Sequence, residues 1–71
     1  MNPVLSSIQW IEQHEHRLDT LTRMDPTFIV GDLYWEYESL KQQYDLAYDY
    51  LVEQAGAGNE MADDWLEQYN Q

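Results

Sequence analysis

The chain contains no cysteine, so it has neither a disulfide framework nor a thiolate zinc site. Lysine and arginine together number three against fourteen aspartates and glutamates, which gives a net charge of −11. So few bases do not provide the basic surface that holds a phosphate backbone or an anionic membrane. Apolar runs do not exceed three residues, which predicts no membrane span and no secretory leader. We therefore expect a cytoplasmic protein that binds neither nucleic acid nor membrane directly.

Hydrophobic residues nevertheless make up 44% of the 71 residues, and 14% are aromatic. That apolar content predicts a folded protein, because disordered acidic chains are poor in large apolar side chains. We expect a single domain over residues 1–71. A core of this size is marginal on its own, which favours a partner chain.

Two prolines and three glycines, together with asparagines, mark where helices start and stop. They predict helices over about 3–23, 26–54 and 59–69. Gly31 is the weak point of the second helix, where that helix either begins or bends. No segment alternates apolar and polar residues as a strand does. The predicted fold is all-α: an antiparallel two-helix hairpin with a short third C-terminal helix folded back on it.

The second helix carries an apolar seam with steps of three and four residues, typical of coiled coils. Its members are Val30, Leu33, Tyr37, Leu40, Tyr44, Ala47 and Leu51. Pairing of this seam with a second copy would make a homodimer, which is one open hypothesis for the chain.

Few residues have the pattern of a catalytic or metal site. His14 and His16 are two positions apart on a helix and point in nearly opposite directions, so they do not share one ion. Glu12 and His16 have the spacing of a weak exposed divalent site, but we interpret His14 as a partly buried residue and His16 as a solvated one. No phosphate-binding loop, nucleophile elbow or calcium loop is present. We expect no enzyme activity, no cofactor and no metal.

Acidic residues are distributed unevenly, since Lys41 is the last base and seven acids follow it. On helices, many of the acids fall four residues apart and form rows on one face. The rows are Asp32 and Glu36; Asp45, Asp49 and Glu53; Glu60 and Asp64; and Asp63 and Glu67. Each like-charge pair opposes helix formation by roughly 0.2–0.5 kcal/mol, which suggests that the negative surface is used. We also expect clustered carboxyls to have raised pKa values, so that stability rises from about pH 7 to pH 5 and with salt.

Carboxylate rows on rigid helices can imitate the phosphates of a nucleic acid and occupy the basic groove of a protein that binds it. Tyr34, Trp35, Tyr48 and Tyr50 lie off the seam. Tyrosine and tryptophan often dominate interface energy, so Tyr34, Trp35 and Tyr48 are the predicted aromatic anchors of such an interface.

In size, charge, helix pattern and acidic rows, the chain resembles small phage-encoded inhibitors, in particular anti-CRISPR proteins and other DNA mimics. The resemblance rests on no family motif, so no residue role is carried over from it. It implies a non-enzymatic inhibitor that masks the DNA-binding surface of a nuclease or CRISPR surveillance complex. The alternatives are a helical assembly module, or an acidic adaptor or antitoxin, with the charge as a solvated surface only.

Overall fold

A computed structural model describes residues 2–24, 27 and 31–70. Three α-helices and no strand occur in those parts of the chain: α1 (Pro3–Arg23), α2 (Asp32–Gly56) and α3 (Glu60–Tyr69). None of the described helices is both long and apolar enough to cross a membrane. The all-α prediction is confirmed.

Asparagine caps begin α1 and α3 where the sequence predicts. The Asn2 side chain accepts hydrogen bonds from the backbone N–H groups of Val4 and Leu5, and Pro3 occupies the first helical position. The Asn59 side chain accepts a hydrogen bond of 3.1 Å from the backbone N–H of Ala62. These contacts supply acceptors for N–H groups that have no partner within their own helix.

The start of α2 differs from the prediction of residue 26. Gly31 has φ 59° and ψ −124°, a conformation that residues with a Cβ rarely adopt, and the helix begins at Asp32. Pro26 and Val30, which the predicted helix and seam include, lie outside the described residues. At the other end α2 continues to Gly56, and Gly58, at φ 97°, lies in the turn before α3.

Residues from all three helices meet in one core cluster, made of Val4, Ile8, Ile11, Leu51 and Ala62. Tyr44, Ala47 and Tyr48 of α2 pack against this cluster from the side. The seam of α2 is therefore used, at least over Tyr44–Leu51, within a single chain. The three-helix bundle results from packing of these apolar faces.

The ten-residue α3 covers only part of the longer helices, so the bundle has two different ends. We call residues 2–15 and 42–70 the three-helix end, because they contain the core cluster and α3. Residues 16–24 and 31–41, the remainder of α1 and α2, are the two-helix end. An ion pair between Arg17 of α1 and Glu36 of α2 links the helices there.

Candidate acidic interface

The three-helix end carries most of the negative charge. It has nine acidic residues and no lysine or arginine, whereas the two-helix end has four acidic residues and all three bases. All seven acids that follow Lys41 are exposed: Asp45, Asp49, Glu53, Glu60, Asp63, Asp64 and Glu67. The same end of the molecule therefore holds both the core cluster and most of the excess of carboxylates.

Among the described residues, the ion pairs of basic side chains with acids lie at the two-helix end. Arg17 pairs with Glu36, and Arg23 pairs with Asp19 at 3.3 Å between Nε and Oδ2. The Lys41 ammonium lies 5.8 Å from the centroid of the Tyr37 ring, at cation–π distance. In the described part of the chain, no ion pair involves an acid beyond Glu36.

Glu36 does not follow the expectation of raised carboxyl pKa values. The hydrogen bond donated by Arg17, assisted by the charge of the guanidinium, lowers the pKa of Glu36 below its ordinary value. Sequence spacing gave no sign of this pair, because the two residues lie 19 positions apart. Of the row predicted from Asp32 and Glu36, the second member is thus a paired carboxylate.

The row on α2 lies on the last three turns of that helix. Asp45, Asp49 and Glu53 are exposed and follow one another at about 6 Å along the axis. The last turn of α2 contains no base, and the negative end of the helix macrodipole adds to the repulsion felt by Glu53. This row is held in place by Ala47 and Leu51 on the opposite side of the helix, which pack in the core.

Three carboxylates of α3 lie close together. One ligand oxygen from each of Asp63, Asp64 and Glu67 lies within 4.8 Å of the other two, and all three residues are exposed. Glu60 and Asp63 occupy the first turn, where the positive end of the macrodipole favours acids. The positive end of the α3 macrodipole therefore offsets part of the repulsion between these acids, which no basic side chain of the described residues offsets.

Metal binding finds little support in this geometry. Asp63, Asp64 and Glu67 are the described residues whose ligand atoms are close enough to share an ion, but exposed acids commonly cluster without one. The interpretation of the histidines is confirmed, since His14 is partly buried and His16 exposed. His14 Nδ1 lies 2.8 Å from the Trp10 carbonyl oxygen, and its ring stacks on Trp10 at 4.4 Å between centroids.

Aromatic side chains fasten α3 to the other helices. The hydroxyl groups of Tyr44 and Tyr69 are 2.7 Å apart, and Trp65 stacks on Tyr69 at 4.5 Å between centroids. Trp65 Nε1 donates a 3.1 Å hydrogen bond to Glu12 on α1. Burial, followed by the hydrogen bond with Tyr44, raises the pKa of the Tyr69 hydroxyl. The acids of α3 are thus presented on an anchored helix.

The predicted aromatic anchors fall into two groups. Tyr48 packs against the core and lies within 6.0 Å of Tyr44 and 6.3 Å of Tyr69, measured between ring centroids. Tyr34 is 48% exposed and Trp35 is 72% exposed, and their rings meet edge to face. Both lie about 15 Å along α2 from Asp45, at the other end of the bundle. The structure therefore does not place the exposed aromatics beside the main acidic row.

Leu46 is the most exposed of the described apolar residues that the sequence did not single out. Leu46 is 71% exposed, between Asp45 and Asp49 on α2. In the sequence, Leu46 differs from a core residue only by its position off the seam, and many solvated residues have such a position. It lines one side of a shallow groove between α1 and α2, with Ser6, Ser7, Trp10, Gln43 and Ala47.

Comparison with protein-family models, with curated proteins and with solved structures finds no match to this chain.

Proposed function

We propose that the protein is a non-enzymatic inhibitor that masks a basic nucleic-acid-binding surface through the acids of α2 and α3. The observation that carries this proposal is that all seven acids after Lys41 are exposed and none has a basic partner in the described structure. The target is a nuclease or CRISPR surveillance complex, the target class of the anti-CRISPR proteins that the chain resembles. Its site of action is the cytoplasm of the host cell of a phage.

Rigid presentation supports the proposal. Flexible acids lose conformational freedom on binding, whereas acids on packed helices are already ordered. Ala62 of α3 and Leu51 of α2 belong to the same buried cluster, so the two acidic helices are fixed relative to each other. Contacts between the last turns of α1 and the first turns of α2, such as Arg17 with Glu36, favour the antiparallel hairpin that this arrangement requires.

Electrostatics determine how such an inhibitor acts. A protein that binds nucleic acid presents lysines and arginines to the phosphates, and these bases attract exposed carboxylates over several ångströms. Steering of this kind accelerates association, and salt weakens it. Once bound, the bundle excludes the nucleic acid from the same bases, so inhibition requires no chemical step.

The experiment is a DNA-cleavage assay on a panel of purified CRISPR nucleases and surveillance complexes. The test variant carries Asp45→Asn, Asp49→Asn and Glu53→Gln, which remove three charges and preserve side-chain size. A matched control with Glu12→Gln, Glu15→Gln and Asp19→Asn removes three charges from α1. We expect the wild type and the control to inhibit at least one member of the panel, and the α2 variant to inhibit it at least ten-fold less strongly (about 1.4 kcal/mol).

Two results would contradict the proposal. Undiminished inhibition by the α2 variant would exclude its acidic row as the binding surface. If no member of the panel is inhibited, nucleases and CRISPR surveillance complexes are excluded as the target class. That result would favour an acidic adaptor or antitoxin with another basic partner.

A further inference from the structure

Two acids of α1, Glu12 and Glu15, lie against aromatic side chains of α3. Trp65 Nε1 donates a 3.1 Å hydrogen bond to Glu12 Oε1. Glu15 lines the same cavity between α1 and α3 as Tyr69. Burial and the hydrogen bond with Tyr44 raise the pKa of Tyr69 most, and the charge of Glu15 and a hydrogen bond with it add to the rise. Each of the two α1 acids therefore contacts an indole N–H or a hydroxyl group of α3.

Glu15 interrupts the apolar face of α1 at this point. Ile8, Ile11 and Leu18 follow one another at steps of three and seven residues, which places them on one face of the helix. Glu15 comes four residues after Ile11 and three before Leu18, so it belongs to the same face. Tyr69 is the last residue of α3, so the carboxylate stands where α3 ends and presents a hydroxyl group. A polar side chain on an otherwise apolar face thus has a polar partner there.

The two contacts are spaced alike on the two helices. Trp65 and Tyr69 are four residues apart, which is about 6 Å along α3. Glu12 and Glu15 are three residues apart, which is about 4.5 Å along α1. The contacts therefore form two successive links between α1 and α3. Two links at different heights resist both rotation and sliding of a helix, which a single link does not.

The orientation of α3 decides where its acids point. Glu60, Asp64 and Glu67 are exposed and lie about 140–180° around the helix from Tyr69. Ala62 is the only buried residue of α3, all of whose residues the structure describes, and its small side chain resists rotation weakly. A rotation of α3 about its axis would therefore turn these three carboxylates away from their present direction unless the two links to α1 hold the helix.

We propose that Glu12 and Glu15 are positioning residues that hold the aromatic side of α3 and thereby direct its acids toward the target. The target and its bases are those of the proposed function, on which this inference rests. Carboxylates of α1 then hold α3, whereas those of α2 and α3 contact the bases. The role requires an acceptor oxygen rather than a negative charge, because an indole N–H and a phenol O–H are neutral donors. Glutamine at both positions keeps that oxygen, which is consistent with the inhibition expected of the α1 control.

Spin labels test whether these acids orient α3. Since the chain has no cysteine, Ser39→Cys on α2 and Gln68→Cys on α3 provide two labels at exposed, uncharged positions. Double electron–electron resonance should find a narrow distance distribution in this labelled protein, and a broad one when Glu12→Ala and Glu15→Ala are added. The matched protein with Glu12→Gln and Glu15→Gln loses the same charge, keeps an acceptor oxygen at each position and should remain narrow. Both acids are exposed and are replaced by good helix formers, so α1 itself is preserved.

A double-mutant cycle tests whether this orientation matters for inhibition of the nuclease. Neutralising α3 by Glu60→Gln, Asp64→Asn and Glu67→Gln should weaken inhibition about ten-fold in the glutamine background and only about two-fold in the alanine background. The reason is that carboxylates already turned away from the target contribute little to binding. A purely structural effect of the alanines would lower the folded fraction and leave the two factors equal.

Three results would overturn the proposal. They are a narrow distance distribution in the alanine protein, a glutamine protein as broad as the alanine protein, and equal loss of inhibition in the two backgrounds. A wild type that inhibits no member of the panel would overturn the proposed function instead. The distance distributions would still decide whether Glu12 and Glu15 hold α3, so the two failures are distinguishable.

Discussion

The two ends of this bundle differ in what offsets the repulsion between their acidic side chains. At the two-helix end, Arg17 and Arg23 pair with Glu36 and Asp19, so charge contributes to joining the helices. At the three-helix end, the acids have no basic partner among the described residues, and a core drawn from all three helices holds the helices that carry them together. Apolar packing thus stabilises the end of the bundle that repulsion between carboxylates destabilises. The comparison indicates that a buried core can offset the repulsion of acids that have no basic partner.

Removing a fully buried side chain of the core cluster should destabilise the protein more than removing a half-buried side chain at the two-helix end. Leu51 is fully buried among residues of α1 and α3, so Leu51→Ala should lower the free energy of unfolding by about 2–5 kcal/mol. Leu33→Ala at the two-helix end removes a half-buried side chain and should cost about 1 kcal/mol. Urea denaturation followed by circular dichroism measures both. Equal losses of unfolding free energy in the two variants would mean that Leu51 contributes no more to stability than the half-buried Leu33.

Loss of the α3 cap should have the next largest effect. Asn59→Ala removes the acceptor for the Ala62 N–H and should lower the free energy of unfolding by about 1 kcal/mol. A ten-residue helix is marginal without its packing and caps, so hydrogen exchange should increase first in α3. Asn70→Ala, at the far end of α3, is the control and should have a smaller effect. Similar protection of α3 in wild type and Asn59→Ala would contradict the role of the cap.

Neutralising the α2 row should stabilise the protein slightly. Asp45→Asn, Asp49→Asn and Glu53→Gln together remove two like-charge pairs, each worth about 0.2–0.5 kcal/mol, so a gain of about 0.4–1 kcal/mol is expected. Salt should narrow the difference from wild type because it screens the repulsion. The Glu12→Gln, Glu15→Gln and Asp19→Asn control also removes the pair with Arg23 and should gain less. A destabilised α2 variant would show that the row repels too weakly to matter.

Acidification should reveal the smallest effect, at the two-helix end. Because Arg17 lowers the pKa of folded Glu36, this pair stabilises the protein above the ordinary carboxyl pKa of about 4.5. Its contribution is lost as the pH falls through and below that value. The thermal midpoint of wild type should therefore fall more than that of Glu36→Gln between about pH 5 and pH 3. Parallel curves for the two proteins would indicate that the pair contributes nothing.

Helix positions were largely predictable because short-range chemistry determines them. Asn2, Pro3 and Asn59 are capping residues, and the helices they begin start where the sequence predicts. The apolar seam predicted a start of α2 at residue 26, with Gly31 as the weak point where the helix either begins or bends. The structure begins α2 directly after Gly31, whose positive φ sets the boundary. Local pattern therefore predicts a boundary well only where capping and periodicity agree.

The candidate site was less predictable, since exposure and pairing depend on the packed bundle. Tyr48 lies off the seam yet packs against the core, because α3 covers that side of α2. Glu36 pairs with a residue from another helix, and Leu46 is left exposed by the same packing. Neither a hydrophobic period nor a charge count contains this information.

The most direct test of the proposed mimicry is whether the protein and DNA exclude each other on an inhibited nuclease. Fluorescence anisotropy of a labelled duplex, bound to that nuclease in a cleavage-inactive form, measures DNA release as the protein is added. We predict complete release by wild type, with half-release shifting to higher protein concentration as the DNA concentration is raised, and weak release by the α2 variant. A stable complex that contains nuclease, DNA and this protein together would contradict the account.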